Sequence, residues 1–326
     1  MRTLILTVGV FLTMQSLHSQ TFYKDPFTHT YSIVAVDTVT GEIGCAVQSH
    51  WFSVGSIVLW AEAGVGAICT QSFANPAFGP RGLELLKAGA TPTQAVEVLT
   101  SSDEARDYRQ LAIIDAKGNT AAYTGSKCIQ AAGHINKKNY SVQANLMEKD
   151  TVWPAMEKAF LVAKGSLAER MMTALEAAEA EGGDIRGKQS AAILVVKGKG
   201  TGEVWKDRLV DLRVEDHPEP LKEMRRLLTV HKAYSHMNAG DHALESSDEA
   251  GALREYGSAM DIMPQNLEMK FWTAVSLVNL NKVDEALPLF KKVFEGDKRW
   301  RELTPRLRNN DLLNVSDEVL EKILEQ

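Results

Sequence analysis

From residue 30 onward, hydrophobic and polar positions alternate in a way that predicts β-strands. The runs YSIVAVD at 31–37 and IGCAVQS at 43–49 alternate and are rich in small or β-branched residues, and TVTGE between them is typical of a turn, so together they predict a hairpin. Two further strands are predicted in SIVLWAE at 56–62 and GVGAICTQS at 64–72. The folded part of the chain is therefore expected to begin with four strands.

The hydrophobic spacing then becomes helical. Pro80, Arg81 and Gly82 open a predicted helix, and the run TPTQAVEVLTSS at 91–102 predicts a second one. In this second helix we expect Thr91 to be the N-cap, because Pro92 follows it and proline is favoured at the first helical position.

Strands and helices recur in the same grouped order further along. The pattern predicts a hairpin at 109–125, a short strand at 141–146, helices at 153–165 and 166–183, and strands at 190–198 and 207–214. Strands that come in hairpins and helices that come in pairs are typical of a layered α+β domain, in which helix pairs cover antiparallel sheets. Alternating βαβ units are not indicated.

Beyond about residue 220 the predicted strands end and an internal repeat appears. The segments 251–264 and 285–298 align at a spacing of 34 residues, which pairs Ala252 with Ala286, Tyr256 with Phe290 and Ala259 with Val293. This period and the small-then-aromatic order are typical of tetratricopeptide repeats, whose paired helices nest against each other. An unrelated pair of helical hairpins is the alternative.

The first helix of the second repeat is predicted to contain Phe271 and Trp272. Ala233 and Tyr234 would match them in the first repeat if about seven residues are inserted between its helices, near 241–247. The pattern as a whole predicts an α+β domain at 30–228 and an all-α, tetratricopeptide-like region at 229–326.

The N-terminus has the features of a secretory signal. Arg2 supplies a positive charge, the residues from Leu4 to Met14 are mostly apolar, and polar residues follow up to Gln20. We predict a signal peptide at 1–20, an N-terminal extension at 21–29 and a periplasmic or secreted protein; an uncleaved amphipathic anchor is the alternative. No later run of about eighteen apolar residues occurs, so no membrane span is expected after cleavage.

Composition excludes some classes of protein and locates the charge. The 326 residues are 44% hydrophobic and carry a net charge of −6, which argues against a nucleic-acid partner because binding phosphates requires a basic face. Residues 231–326 contain 12 Lys and Arg against 17 Asp and Glu, so most of the excess negative charge lies in the helical region. Its acidic residues form either a solvated face or a docking surface for a basic protein partner.

The three cysteines predict neither a disulfide scaffold nor a zinc site. Cys45, Cys69 and Cys128 are an odd number, and no CxxC motif occurs. Cys45 and Cys69 lie in apolar runs, so we expect buried small side chains, with a bridge between neighbouring strands as the alternative.

Few standard catalytic motifs are present. The sequence has no HExxH, GxSxG, Walker or GxGxxG motif, and its histidines do not place two rings on one helix face, so neither a metal nor a cofactor is predicted. A domain that begins with a hydroxyl-bearing strand can use a chain-terminal Thr or Ser as nucleophile, with its own α-amine as base. Thr30 and Ser32 are the hydroxyl residues at that place.

Several longer motifs carry a resemblance to a known family. They include TYSIVAVD, TGEIGCAVQS, GVGAICTQSFANPAFGPRGLELL, RQLAIID, YSVQAN and GGDIRGKQSAAILVV, in one order between about Thr30 and Leu228. In these segments the chain resembles the domain of unknown function 1028 family. The resemblance implies a four-layer αββα sandwich of the N-terminal-nucleophile hydrolase type, and by analogy a reaction class, hydrolysis of an amide or peptide bond, without a defined substrate.

The same resemblance implies site residues. Thr30 is expected to be nucleophile and base at a processed N-terminus, with Ser32 as the second catalytic candidate. Gln48 and Ser49 end the second strand, near the expected nucleophile. Gln71 and Ser72 end the strand before the first helix, a usual place for backbone donors to an oxyanion.

Four further residues are candidates for binding substrate. Arg81 at a helix start is suited to a substrate carboxylate. Asp184 and Arg186 either orient a substrate or pin a loop, and Asn75 is a candidate whose alternative role is in a turn.

The N-terminus departs from what this mechanism needs. Signal cleavage near Ser19 leaves residues 20–29 ahead of Thr30, and a blocked amine cannot act as base. Either a second, autoproteolytic cut follows His29, or the mechanism is different. The sequence thus predicts an exported hydrolase acting on a small amide or peptide; the alternative is a non-catalytic ligand-binding or scaffold protein that recruits a protein partner through its helical repeats.

Overall fold

The computed structural model describes residues 27–326. The predicted signal peptide at 1–20 and residues 21–26 of the predicted extension lie outside the described residues. The strands are, in chain order, β1 Phe27–Thr28, β2 Thr30–Val36, β3 Ile43–Ser49, β4 Leu59–Glu62, β5 Gly66–Phe73, β6 Arg109–Asp115, β7 Thr120–Thr124, β8 Gly133–Lys137, β9 Tyr140–Ala144, β10 Ser190–Val196 and β11 Arg208–Val214.

Helices follow the strand pairs and then continue alone to the C-terminus. They are α1 Gly55–Val58, α2 Phe78–Lys87, α3 Pro92–Ser101, α4 Val152–Val162, α5 Leu167–Ala180, α6 Val204–Asp207, α7 Pro220–Glu245, α8 Glu249–Ile262, α9 Leu267–Asn279, α10 Val283–Gly296, α11 Arg299–Arg308 and α12 Asp317–Leu324. Within residues 27–326, none of these helices combines the length and apolar character needed to span a membrane. The architecture is mixed α and β, with a helical region at the C-terminal end.

The strands form two antiparallel sheets. The first sheet has the order β1, β5, β6, β7, and β4 also pairs with β5; the second sheet has the order β11, β10, β3, β2, β9, β8. The predicted first hairpin is confirmed, because Thr30 pairs with Ser49 and Val36 pairs with Ile43. Strand β2 therefore lies inside the second sheet, and Thr30 is its first residue.

The two sheets pack face to face, and strand alternation divides their side chains between two cores. Val34 and Cys45 of the second sheet and Cys69 of the first belong to the same buried cluster between the sheets. The alternate residues Tyr31 and Ile33 belong to another cluster, formed with α4, α5 and the beginning of α7. Helices α2 and α3 pack against the outer face of the first sheet. The period of two along each strand thus sends one set of side chains inward and the other toward helices.

Local predictions were right where the sequence signal was strong. Thr91 caps α3. Its side chain accepts from the backbone amide of Gln94, and the Gln94 side chain accepts from the backbone amide of Thr91. Residues 56–58 were expected to belong to a strand, but they lie in α1, and β4 begins only at Leu59. Strand β8 was not predicted; it is a largely exposed edge strand, so its alternation is weak.

The three cysteines are buried and free. Burial is also the main reason why the pKa of the Cys45 thiol is raised well above its usual value. The prediction of small buried side chains is confirmed, and within residues 27–326 the alternative bridge between strands is not formed.

The 34-residue period predicted for the C-terminal region is present in its helices. Helix α8 begins at Glu249 and α10 begins at Val283, 34 residues later, and both have 14 residues. All six residues of the predicted alignment are fully buried, namely Ala252, Tyr256, Ala259, Ala286, Phe290 and Val293.

The predicted insertion in the first repeat is wrong. Helix α9 at Leu267–Asn279 corresponds, at the same 34-residue spacing, to residues 233–245 in the second half of α7. Phe271 is therefore matched by Met237, which is also buried, and no inserted residues are needed. The sequence suggested Tyr234 as a counterpart of the aromatic residues in α9 because Tyr234 is aromatic and Met237 is not.

Helix α7 spans the predicted domain boundary at 228/229. Leu221, Met224 and Leu228 in its first half pack into the core of the second sheet. Ala233 and Met237 in its second half pack with α8 and Met269. One continuous helix of 26 residues thus contributes to both cores.

The contact between α7 and α8 predicts opposite effects for two glycine substitutions. A Cβ on Gly240 would lie 2.4 Å from the ring of buried Tyr256, whereas a Cβ on Gly257 would have no heavy atom within 4 Å. We expect Gly240→Ala to destabilise the helical region by about 1–3 kcal/mol through overpacking. We expect Gly257→Ala to be neutral or to stabilise it by up to about 1 kcal/mol through helix propensity. Thermal unfolding of the two full-length variants measures both effects, and equal midpoints would contradict the close packing.

Candidate functional site

Polar side chains fill one end of the space between the two sheets. Thr30 and Ser32 come from β2, Gln71 from β5, Gln110 from β6 and Gln143 from β9, and all five residues are fully buried. They lie on the inward faces of their strands, which carry apolar residues further along, such as Val34 after Ser32. Burying a polar group costs free energy unless it is hydrogen-bonded, so the stability of this end of the interface depends on how its side chains pair.

The amide of Gln110 is the centre of the hydrogen-bond network. Its Oε1 accepts from Gln71 Nε2 at 2.6 Å and from Asn145 Nδ2 at 2.9 Å. Its Nε2 donates to Ala144 O at 2.9 Å in the second sheet and to Thr124 Oγ1 at 2.9 Å in the first. One side chain thus links both sheets.

Ser32 uses its hydroxyl both to donate and to accept. Its Oγ donates to Gln71 Oε1 at 2.6 Å and accepts from Gln143 Nε2 at 3.1 Å. Gln143 Nε2 also donates to Cys69 O at 3.1 Å, which is a second link between the sheets. The Ser32 proton is therefore engaged in the network.

Thr30 is held by its backbone and not by its side chain. Its carbonyl oxygen accepts from Asn145 N at 3.1 Å and from Gln71 Nε2 at 3.0 Å. Its hydroxyl oxygen, in contrast, is buried and has no hydrogen-bond partner among the residues that the structure describes. The backbone is fixed while the hydroxyl is uncommitted.

His29 lies where the chain passes from one sheet to the other. Thr28 pairs with Ser72 in the first sheet, and Thr30 pairs with Ser49 in the second. Between them, the carbonyl oxygen of His29 accepts from Ser49 Oγ at 2.6 Å and from Arg186 Nη2 at 2.9 Å. The peptide bond between His29 and Thr30 therefore has a hydroxyl and a guanidinium directed at its carbonyl oxygen.

Asp184 orients Arg186. Its side chain is fully buried and accepts from Arg186 Nε at 3.0 Å and from Arg186 Nη2 at 2.7 Å. It also accepts from the His50 backbone amide at 3.2 Å, which anchors the loop after β3. Asp184 thus pins the loop, as one alternative for this pair predicts, and Arg186 reaches the peptide carbonyl of His29. The other alternative, orientation of a substrate, stays a prediction.

The His29 ring is neutral, and its hydrogen bond to Asn145 determines which ring nitrogen carries the proton. Asn145 Nδ2 donates to Gln110, so Asn145 Oδ1 remains as an acceptor, and His29 Nδ1, 2.5 Å away, must carry the proton. Burial lowers the pKa of His29 to about 4, the hydrogen bond to Asn145 opposes this, and Arg186 adds to the lowering.

Six of the ten predicted site residues come together here. The group formed by Thr30, Ser32, Ser49, Gln71, Asp184 and Arg186 surrounds or supports the bond between His29 and Thr30. The donors to the His29 carbonyl are Ser49 and Arg186. The expected backbone donation to an oxyanion from the region of Gln71 and Ser72 stays a prediction.

Gln48 and Ser72 lie on the opposite faces of their strands from the network. Gln48 pairs with Tyr31, on the side of the second sheet that meets the helices, and its buried amide has no hydrogen-bond partner within residues 27–326. Ser72 accepts from Thr28 Oγ1 at 3.3 Å through its backbone carbonyl and adopts a positive φ of 71°. Neither side chain joins the network, because adjacent residues of a strand point to opposite faces.

Asn75 and Arg81 are placed elsewhere. Asn75 forms a turn: its Oδ1 accepts from the Ala77 amide at 3.2 Å, and its Nδ2 donates to Asp103 at 3.1 Å. Arg81 is exposed on α2, and within the described part of the chain it forms no ion pair or side-chain hydrogen bond. The structure therefore supports the turn role for Asn75.

Sequence reasoning missed His29, Gln110, Gln143 and Asn145. Gln143 and Asn145 are two residues apart in a predicted strand, so their shared face was available as a signal. Gln110 is the second residue of a strand whose central residues, 111–114, are apolar, which was a weaker signal. The partners of their side chains are 14 to 116 residues away in sequence and emerge only in the fold. Residues 27–326 contain no cluster of three or more His, Cys, Asp or Glu suited to a metal ion.

Comparison with known proteins gives two informative matches. The model of the Family of unknown function (DUF1028) matches residues 30–224. The crystal structure of protein SPO2555 from Silicibacter pomeroyi, which is described as belonging to that same family, is 32% identical, has a TM-score of 0.56, and the match covers 66% of this chain and 92% of that one. The helices after residue 224 lie outside the family match.

A second solved structure is more distant. Anbu, the ancestral beta-subunit from Yersinia bercovieri, is 14% identical with a TM-score of 0.32, over 60% of this chain and 92% of that one. The comparison with curated proteins gave no match.

The lowered pKa of His29 predicts a stability that depends on pH. The unfolded histidine has a pKa of about 6.5, so between pH 6.5 and 4 the unfolded chain binds a proton that the folded chain excludes. The free energy of unfolding is therefore expected to fall, by up to about 3 kcal/mol, as the pH is lowered through this window. Denaturant titrations of the chain that retains His29 measure this, and His29→Asn should show a smaller loss because asparagine does not titrate. Equal losses in the two proteins would contradict the assignment.

Proposed function

Because the chain belongs to the family of unknown function DUF1028, we propose that it is an exported hydrolase of the N-terminal-nucleophile type, acting on an amide or peptide bond of a small substrate. In this proposal residues 30–228 form a four-layer αββα domain and residues 229–326 form tetratricopeptide-like repeats. The helices on the outer faces of two packed sheets support the first part. The 34-residue spacing of α8 and α10 supports the second.

The observation that carries the proposal is the environment of the bond between His29 and Thr30. Two donors, Ser49 Oγ and Arg186 Nη2, lie 2.6 and 2.9 Å from the His29 carbonyl oxygen. Donors in such positions stabilise the negative charge that this oxygen acquires when a nucleophile attacks the carbonyl carbon. The residue that follows has a buried hydroxyl without a partner in the described chain, which leaves it available as that nucleophile.

In the proposed mechanism, these groups allow the chain to cleave itself before Thr30. Thr30 Oγ1 attacks the His29 carbonyl carbon, the carbon–nitrogen bond breaks, and the hydroxyl proton ends on the nitrogen. The products are an ester between His29 and Thr30 Oγ1 and a free α-amine on Thr30. Water then hydrolyses the ester, which releases the segment ending at His29 and restores the hydroxyl.

The freed residue can act as both nucleophile and base. An α-amine has an ordinary pKa of about 7.7–8.0, so a substantial fraction is unprotonated near neutral pH and can accept the hydroxyl proton. Thr30 is preferred to Ser32, because Ser32 lies inside the strand and its proton is engaged with Gln71. The proposed mechanism uses no metal or cofactor. The signal peptide places the mature enzyme in the periplasm or outside the cell.

A scaffold role remains the second candidate. It is favoured by a groove of about 460 Å³ in the helical region, where Trp272 and Met269 lie beside Asp241 and Glu268. An apolar floor with acidic groups suits a basic segment of a protein partner.

The mature N-terminus tests the hydrolase. We expect the intact mass of the exported protein to correspond to a chain that begins at Thr30. We expect Thr30→Val to retain the preceding residues and to lack amidase activity, because valine keeps the shape but not the hydroxyl. A wild-type chain that begins near Gln20 and still hydrolyses amides would contradict the mechanism. A Thr30→Val protein that keeps every cellular phenotype would favour the scaffold.

The rate of the cut tests the carbonyl donors. Ser49→Ala removes one donor to the His29 carbonyl and is expected to slow the cut by about 10- to 1,000-fold. Ser141→Ala is the matched control, since Ser141 is also a buried serine of the second sheet, but its Oγ donates to Ile135 O at 3.3 Å. Mass spectrometry over time after synthesis gives both rates, and a Ser141→Ala chain that is cut as slowly as Ser49→Ala would count against the role of Ser49.

A further inference from the structure

The residues ahead of Thr30 occupy the candidate site as the acyl half of a substrate would. Phe27 and Thr28 form β1, an antiparallel partner of β5 in whose backbone register Phe27 pairs with Phe73 and Thr28 pairs with Ser72. His29 follows, with its carbonyl oxygen on Ser49 and Arg186. The chain thus presents its own peptide bond to Thr30 from an extended strand.

Removal of this segment would leave a strand edge open. Strand β6 pairs with β5 from Gly66 to Ser72, whereas β4 pairs with β5 only from Gly66 to Cys69. Because a strand has two edges and β6 occupies one, β1 and β4 must share the other. Without β1, residues 70–73 of β5 have an unpaired edge beside the nucleophile, and an unpaired edge is a template for another extended chain.

The side chain next to the scissile bond has a defined pocket. The His29 ring lies edge-on to the Phe73 ring, with centroids 5.7 Å apart and planes at 87°. Its Nδ1–H donates to Asn145 Oδ1 at 2.5 Å. Thr28 is also fully buried, and its hydroxyl donates to Ser72 O. The pocket therefore accommodates a flat side chain that carries a hydrogen-bond donor.

The pocket disfavours charged side chains. His29 is fully buried, and its burial keeps the imidazole neutral by lowering its pKa. A carboxylate in the same place would be desolvated and would face the acceptor Asn145 Oδ1. An apolar ring would leave that acceptor buried without a donor.

On the premise that Thr30 is the nucleophile of the proposed function, we propose that the substrate is an extended peptide that adds as a strand to the open edge of β5 and presents a neutral, donor-bearing side chain of imidazole size on the acyl side of the scissile bond. Thr30 Oγ1 attacks the carbonyl carbon after that side chain, and the amine leaves with the hydroxyl proton. Water then hydrolyses the ester, so the enzyme cleaves after histidine or a residue of like shape.

Tripeptide substrates test this selectivity. The full-length protein, processed to begin at Thr30, is given acetylated Phe-Thr-His, Phe-Thr-Phe and Phe-Thr-Glu, each with an aminocoumarin leaving group. We expect kcat/KM for the histidine peptide to exceed that of the other two by at least about tenfold. Acetylated histidine with the same leaving group, which lacks the strand, should be cleaved at least about tenfold more slowly than the tripeptide.

A variant of the pocket separates recognition from general damage. Asn145→Leu removes the acceptor for the imidazole, so the ratio between the histidine and phenylalanine peptides should fall to about one, whatever happens to the overall rate. A structural role alone would lower both rates and leave their ratio unchanged.

The outcomes distinguish this inference from the proposed function. A chain whose mass shows residues ahead of Thr30 and that cleaves none of the peptides overturns both. A chain that begins at Thr30 and cleaves all three tripeptides equally, or prefers the glutamate peptide, overturns the inference and leaves the hydrolase standing. Preference for histidine that Asn145→Leu abolishes supports it.

Discussion

The amide of Gln110 joins the two sheets at the end where the candidate nucleophile lies. It receives donors from Gln71 and Asn145 and donates to groups in both sheets. Leaving one buried polar group unpaired costs about 1–3 kcal/mol, so the sheets are restricted to the register that satisfies all of these partners together. That register also fixes the Thr30 carbonyl through Gln71 and Asn145. The position of Thr30 is thus a consequence of how the sheets are tied together.

The space between the sheets is divided into an apolar and a polar half. Val34, Cys45 and Cys69 fill the first without hydrogen-bonded side-chain networks, as ordinary core residues do. In the polar half, β2, β5, β6 and β9 contribute inward-facing hydroxyl and amide groups near their ends, and the loop before β10 adds the guanidinium of Arg186. His29 belongs to this half as well, because the chain passes there from the first sheet to the second. The segment before Thr30 is for this reason part of the site and not an appendage to it.

The helical region is attached through a rigid element. Helix α7 packs on the second sheet through Met224 and Leu228 and continues into contact with α8 through Ala233 and Met237. Residue 224, where the family match ends, lies within this helix. The helical region is therefore joined to the second sheet by a continuous helix and not by a flexible linker.

The sequence by itself determined the local elements and their grouping. Alternation over 31–37 and 43–49, the Thr91 cap and the 34-residue spacing are signals carried by neighbouring residues, and the structure has the corresponding hairpin, helix and helical pairs. It also placed Thr30 and Ser49 at strand ends. Sequence could not choose between the two faces of a strand, which is why Gln48 was grouped with Ser49 although alternation turns it toward the helices.

Only the tertiary structure decided which groups meet. His29 and Asn145 are 116 residues apart, and Arg186 is 157 residues from the carbonyl that it contacts. No local period specifies such pairs, because they depend on how two whole sheets pack and on where their strands end. The chemistry of the site rests on these contacts, since a hydroxyl at the start of a strand becomes a candidate nucleophile only when the end of β3 and a distant loop bring Ser49 and Arg186 to the peptide bond beside it.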